Sequence, residues 1–493
     1  MAADDREIEL KFTCEPSDIA AVFAAAPAGE DETRQLVSTY FDTPARTLRK
    51  AGASLRIRVC GDKRIQTLKR GDGFARQEHE AEVQRDTPDP SLGPLPEMLP
   101  RRQRAALGPA FSVNVTRRQR HLRHAGAEIE LAIDEGEVRA GEAARRLCEV
   151  ELELKSGPPE ALFALARELA RAAPLYLSFE TKAAWGAALL DGAALAPRKG
   201  GQIRFEADAS TAEAFRTIAR DALSQIAANA ALLREAPSPD VVHQIRVGAR
   251  RLRSAMSTFK SVVADERLSD LKAELKWLTG ACGEARALDV FAAETLTAAR
   301  QADPTAFGLG ELGLEIESAR SRAQAKAAAG VASARFRALV LETCAWIELG
   351  DWRSSGRGGR RPVAGFARQA LAQRRRKLLK LGKDLRRLDD AGRHQVRIEA
   401  KKLRYPAESF AHLHDEPAAR RFIAALKDLQ DHLGALNDAA GAQALLTSLS
   451  LDGPALFAAG RLVGEASADK ARRIKQAARA METFAAQAPF WAA

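Results

Sequence analysis

Aromatic residues make up only 5% of this 493-residue chain, and three of them are tyrosine. None falls between Phe366 and Tyr405, although Arg374, Arg375, Arg376, Lys377 and Lys380 cluster there. Proteins that grip single-stranded nucleic acid interleave rings with cations so that bases can stack, so that ligand class is disfavoured. Binding a duplex through its phosphates alone stays open. Cysteine is also sparse. Cys14, Cys60, Cys148, Cys282 and Cys344 are odd in number, scattered and never in a CxxC pair. That speaks against a disulfide framework and a structural zinc site, and for a reducing, cytoplasmic setting. No run of 18 uncharged apolar residues occurs, so no membrane span is expected. The opening MAADDREIELK lacks the apolar core of a secretory leader.

What the chain does contain is a repeat. HQIRVGARRLR at 243–253 returns as HQVRIEAKKLR at 394–404, and a phenylalanine follows each histidine by sixteen residues, at Phe259 and Phe410. The basic positions His243, Arg246, Arg250, Arg253 and His394, Arg397, Lys401, Arg404 advance by three, four and three. That spacing puts each set on one face of a helix, leaving Ile245, Leu252, Val396 and Leu403 for a core. Each face is a cationic ladder roughly 15 Å long, suited to an extended anion. A metal role for the two histidines is disfavoured, since neither has a ligand residue at i+3 or i+4. His412, His414 and His432 belong to no ladder and read as structural.

Charge divides the chain. Residues 1–200 carry 30 Lys+Arg against 31 Asp+Glu, whereas residues 201–493 carry 46 against 34. A basic region beside a near-neutral one points to a polyanionic partner. Residues 1–200 alternate charged and apolar residues in Glu7–Phe12, Ser54–Val59, Arg64–Lys69, Gln77–Val83, Val113–His121, Glu128–Asp134 and Glu149–Lys155. Helices are expected near Ser17–Ala26 and Pro159–Ala173, and a linker at Asp191–Gly201. From about residue 205 only helical periodicity remains, split by the Gly/Arg/Ser loop Asp351–Pro362.

On a single strand, one charged face is ordinarily just a wet face. Here the charges are sorted by sign. Arg56, Arg58 and Lys69 mark cationic strands; Glu78, Glu80, Glu82, Glu128 and Glu130 mark anionic ones. A closed barrel with those faces inward would surround a ligand with carboxylates suited to a hard divalent cation and with Arg/Lys suited to phosphate oxygens.

The segments EIELKF (7–12), YFDTP (40–44), SLRIR (54–58), QTLK (66–69), IELAIDEG (129–136) and CEVELELKSG (148–157) resemble, in order, the motifs of the CYTH domain of the triphosphate tunnel metalloenzymes. The resemblance implies an eight-stranded antiparallel tunnel barrel using Mg²⁺ or Mn²⁺. It implies metal ligation by Glu7, Glu9, Glu151 and Glu153, with Glu130, Asp134 and Glu149 in support. It also implies phosphate binding by Lys11, Arg56, Arg58, Lys69, Arg117 and Lys182. Catalysis would then rest on Glu7, Glu9, Lys11, Arg56, Arg58 and Lys69. One position departs. Trp185 stands where the closing motif, here Thr181 to Gly186, carries an arginine.

The paired ladders, with LGALNDAAGAQALL (433–446) and GEARALDVF (283–291), resemble the CHAD domain, an α-helical polyphosphate-binding module. Ala287 replaces an aspartate common in that family, which is expected to loosen a salt bridge orienting a nearby arginine. The expected architecture is α+β and multidomain. A tunnel domain at 1–200 is followed by an antiparallel helical bundle at 205–493 in pseudo-symmetric halves, about 205–350 and 363–493.

The function these resemblances imply is hydrolysis of inorganic triphosphate to diphosphate and phosphate. Long-chain polyphosphate would bind the ladders, with cytoplasmic placement and association with polyphosphate granules. Two alternatives stand beside it. One is a non-catalytic polyphosphate scaffold; the other is thiamine triphosphatase or adenylate cyclase activity, which scarce strand aromatics disfavour.

Overall fold

The computed structural model describes residues 6–71, 75–193, 196–206, 208–353, 356 and 358–492. It divides into two compact units, Met1–Ala196 and Pro197–Ala493.

Among the described residues the first unit is one antiparallel sheet of nine strands: β1 (Arg6–Thr13), β2 (Gly29–Asp42), β3 (Ala53–Cys60), β4 (Lys63–Arg70), β5 (Ala75–Glu82), β6 (Gly108–His124), β7 (Ala127–Ala140), β8 (Ala143–Ser156) and β9 (Tyr176–Ser178). The order is β5-β4-β3-β2-β6-β7-β8-β1-β9, and β1 also pairs with β5. That extra pairing closes eight strands into a ring, while β9 adds a ninth along the same edge of β1, opposite Lys11–Thr13. The expected count of eight is therefore corrected to nine. Two strands escaped the alternation pattern. The first seven residues of β2, GEDETRQ, are all exposed and have no apolar partner positions. With three residues, β9 is too short to show a period.

Period two sorts the residues. Leu10, Phe12, Val150 and Leu152 are buried on the outer face, where helix Glu160–Ala172 packs on β8 through Leu162, Phe163, Leu165 and Leu169. Each such side chain contributes about 1.5–3 kcal/mol on burial. The alternate residues, Glu9, Lys11, Glu149 and Glu151, consequently point into the ring. The β6–β7 hairpin turns through Ala125 and Gly126, both at positive φ, the geometry a two-residue hairpin loop demands.

The second unit is helical. Helix Pro239–Thr258 carries the first ladder and is capped by Ser238; helix Asp390–Phe410 carries the second and is capped by Asp389. Their opposite faces bury Val242, Ile245, Ala249 and Leu252, and Val396, Ala400, Leu403 and Ala407. The repeated Phe259 and Phe410 meet in the core at 5.9 Å between ring centroids. After each ladder the two halves diverge. The second continues into one helix, Glu416–Ser448, whereas the first is broken into Leu268–Ala281 and Gly283–Val290 with a π turn at Phe291–Leu296. His412 is structural, its Nε2 lying 3.0 Å from the Phe205 carbonyl oxygen. Among the described residues no helix is long and apolar enough to cross a membrane.

Candidate functional site

Inside the ring lies a cavity of about 950 Å³. Lys11, Arg56, Arg58, Lys69, Arg117 and Lys182 all line it, and so do Glu9, Glu130, Glu151 and Glu153. The side chain of Glu7 lies outside the described residues. Register explains the grouping. Glu9 faces Glu153 across β1 and β8, and Glu153 faces Glu130 across β8 and β7, giving a row of three carboxylates on neighbouring strands. Like charges directly opposed repel, and Lys155 relieves this row, its Nζ sitting 2.7 Å from Glu153 and 3.3 Å from Glu130.

Deeper in, Lys182 opens helix Lys182–Leu190, whose N-terminus Thr181 caps, and meets Glu149 at 2.6 Å, Glu151 at 2.8 Å and Asp134 at 2.9 Å. Arg117 forks onto Asp134 at 2.7 Å from both nitrogens and reaches Glu151 at 2.6 Å. Burial opposes charge on Lys182, yet Asp134, Glu149 and Glu151 hold its pKa well above the ordinary lysine value. Burial pushes Glu149 up, whereas Lys182, Lys11 and Arg117 overcome burial and hold Glu151 well below the usual range. Asp134 and Glu149, expected as supporting ligands, do not line the cavity. Buried behind it, they fix Lys182 and Arg117.

Among the described residues no group of three His, Cys, Asp or Glu is set to hold a metal ion. The carboxylates are instead tied to lysine and arginine, which is how charges in a low-dielectric lumen compensate one another. The donor chemistry still suits a hard divalent cation. Glu9, Glu130 and Glu153 offer only oxygen, and Lys155 already places a cation among them.

Arg58 differs from the other cavity cations. Among the described residues no carboxylate reaches ion-pair distance, and its Nε donates to the Ser38 hydroxyl at 3.4 Å. Burial, then Arg56 and Arg117, lower its pKa to about 10. Arg56 has more support, with Glu78 at 3.8 Å and contact with Tyr40, and Lys69 meets Glu78 at 2.9 Å.

Tyr40, Glu78, Gln119 and Lys155 also line the cavity and were missing from the expected set. The inward strand parity of Glu78 and Lys155 was the available signal. Aromatics likewise reach the wall, correcting the expectation of an aromatic-poor lumen. Tyr40 and Phe111, facing residues of β2 and β6, stack at 4.6 Å. Each ring thus gives one face to the other. A Cβ on Gly186 would lie 2.1 Å from the Phe111 ring, so glycine is required there. Trp185 does not line the cavity. It packs with Ala183 and Leu189 against Leu36, Val113, Val115, Val138 and Leu147, beneath the Arg145 guanidinium at 4.2 Å.

In the helical unit the two ladders approach each other. Arg250 Nε donates to the Tyr405 hydroxyl at 3.3 Å, and its charge is felt by both Arg397 and Lys401. Arg246 donates to the Thr279 carbonyl, freed at the helix break, while His394 Nδ1 lies 2.7 Å from Asn437 Oδ1. At the same two rungs of each ladder, Arg246 and Arg253, Arg397 and Arg404, the Nε is buried without a hydrogen-bond partner. Burial, then Arg286 and Arg250, lower His243 to about 4, so its ring is neutral at pH 7. Arg286 and Lys272 join from helices outside the repeat, Lys272 sharing a neighbourhood with Arg253, Lys260, Lys402 and Arg374.

These features define a class: a closed β tunnel with a charged lumen, followed in the same chain by a duplicated helical bundle with paired basic faces. Residues 5–186 match the CYTH domain family and residues 217–447 the CHAD domain family. The crystal structure of the CHAD domain from the plant Ricinus communis is 30% identical, with a TM-score of 0.52, over 58% of this chain and 96% of that one. The chain belongs to the CHAD family through its helical unit and carries a CYTH domain in its β unit. It is also 30% identical over 194 residues to an inorganic triphosphatase of Haemophilus influenzae, matching 37% of this chain and 54% of that protein. The match thus spans about half the length of that curated relative.

Proposed function

We infer that the tunnel hydrolyses inorganic triphosphate to diphosphate and phosphate, and that the ladders hold inorganic polyphosphate. The observation that carries the first reading is the gathering of nine lysine and arginine residues with seven glutamates around one 950 Å³ cavity. Its support from a relative is the matching region of the Haemophilus influenzae inorganic triphosphatase. Mg²⁺ or Mn²⁺, held by Glu9, Glu130 and Glu153 with Glu7 and Glu151 in support, would offset phosphate charge and acidify bound water.

The remaining work falls to the chain's own groups. Arg58 and Arg56 bind oxygens of the transferred phosphoryl group, and Lys11, Lys69, Arg117 and Lys182 neutralise the leaving diphosphate. Water oxygen forms the new P–O bond as the bridging P–O bond breaks. Asp134 and Glu149 keep Lys182 charged and in place. Because Tyr40 and Phe111 each give one face to the other and Tyr40 is only 5% exposed, the pair offers little ring surface to an adenine or thiazolium, which favours the inorganic substrate.

The test is phosphate release from triphosphate with Mg²⁺ or Mn²⁺, beside ATP and thiamine triphosphate, in wild type and in Glu9→Gln/Glu153→Gln. Metal-dependent release that the double variant loses while its fold persists supports the reading. Absence of release in wild type leaves the scaffold alternative, and faster turnover of an organic triphosphate replaces the substrate.

A further inference from the structure

We propose that Cys14 and Cys148 form a reversible disulfide that locks β1 onto β8. The two thiols lie one residue beyond the Thr13–Glu149 pair on each strand. Their sulfurs are 3.5 Å apart, and the Cys14 amide donates to the Cys148 carbonyl at 3.4 Å. A disulfide needs about 2.05 Å between sulfurs, so side-chain rotation on a register that already exists suffices. Both residues are half-buried, as is Cys60, which packs against an apolar cluster with no second thiol in it, whereas Cys282 and Cys344 are buried. Of five free cysteines, this is the pair that meets.

The oxidant is hydrogen peroxide. One thiol attacks the peroxide, the O–O bond breaks, and a sulfenic acid forms with release of water. The second thiol then attacks that sulfur, the S–S bond forms, and a second water leaves. Two electrons pass from the thiols to the peroxide. Excess thiol reverses the bridge by exchange.

The location gives the bridge a consequence. It closes a loop across 134 positions, and long loops gain the most from cross-linking. It also clamps the strand pair carrying Glu9, Lys11, Glu149 and Glu151, one residue from the Glu149–Lys182 ion pair.

The full chain is exposed to hydrogen peroxide, quenched, denatured and titrated for thiols. The titre should fall from five to three, since 5 − 2 = 3, with a mass loss of about 2 Da and a cross-linked Cys14–Cys148 peptide. The thermal transition of the oxidised protein should rise by about 5 °C and return on reduction. Cys14→Ser and Cys148→Ser should each abolish the loss of thiols, and Cys60→Ser should not. Five persisting thiols, pairing through Cys60, or sulfinic acid at position 14 or 148 without a cross-link overturns the proposal.

Discussion

Arg397 reaches Asp438 at 3.8 Å, while its counterpart in the first ladder, Arg246, donates instead to a main-chain carbonyl at Thr279. The halves share a cationic stripe but not its counter-charges. An incoming phosphate must compete with a carboxylate for Arg397, whereas no acid competes for Arg246 among the described residues. If the ladders hold polyphosphate as proposed, the first should be the stronger anchor.

Removing the competing acid should strengthen the weaker half. Asp438→Ala is expected to tighten polyphosphate binding about 5-fold, and Ala287→Asp to weaken it about as much, the scale of one partly exposed charge pair. Titration with fluorescent polyphosphate at fixed salt checks both directions. Unchanged affinity in both variants means the acids lie off the ligand's path.

The unpaired Arg58 gives a second test. Arg58→Ala should lower kcat/KM for triphosphate by roughly 10²-fold, one lost charge-assisted contact of a few kcal/mol. It should leave Tm unchanged or raised, because it removes a desolvated cation that has no acid partner. Arg56→Ala should cost a similar factor and also lower Tm, since Glu78 and Tyr40 lose their partner. A Tm loss without a kinetic loss would make either arginine structural.

How much of this was legible in the sequence depended on whether a signal was periodic. Inward cations and carboxylates showed through period two, and the ladders through an exact 3-4-3 register, because those spacings are set by backbone geometry. The charged start of β2 carried no alternation, so Tyr40 stayed hidden as a wall residue. Arg286 and Lys272 come from helices outside the repeat, and only folding brings them to the ladders. Trp185 was legible as a departure, but its packing under Arg145 was not. The roles of Asp134 and Glu149 turned on depth, which strand parity does not encode.

Lys182 is the keystone of the deep ion network. Replacing it with alanine leaves Asp134, Glu149 and Glu151 short of a cation, at a cost of roughly 3–5 kcal/mol. Calorimetry should show the first unit melting about 10 °C lower, with Glu149→Gln in the same background recovering part of the loss. The acid limb reports the same network. Against burial, Lys182 and Arg117 hold Asp134 down to about 2. Its stabilisation is fully present above its ordinary value of 3.8 and is lost as pH falls toward 2. Wild type should therefore lose stability across that window, and Asp134→Asn should be less stable at neutral pH with a flatter acid limb.

Lys401 should make polyphosphate binding depend on pH. Burial, then Arg397 and Arg250, lower its pKa to about 8, with Arg404 adding to the shift and Asp438 opposing it. A depressed lysine is charged below that value and neutral above it, so a rung of the second ladder discharges as pH rises through 8. A bound polyanion favours the protonated form, so binding at pH 8–9 takes up a proton and affinity falls with pH. A loss of about 5-fold between pH 7 and pH 9 is expected, with Lys401→Arg holding its affinity over that range because guanidinium stays charged. His243, already neutral at pH 7, adds nothing to this limb. Calorimetric titration in two buffers of different ionisation enthalpy reads the proton uptake directly. A flat profile in wild type, or an equal fall in Lys401→Arg, would exclude Lys401 as the titrating rung.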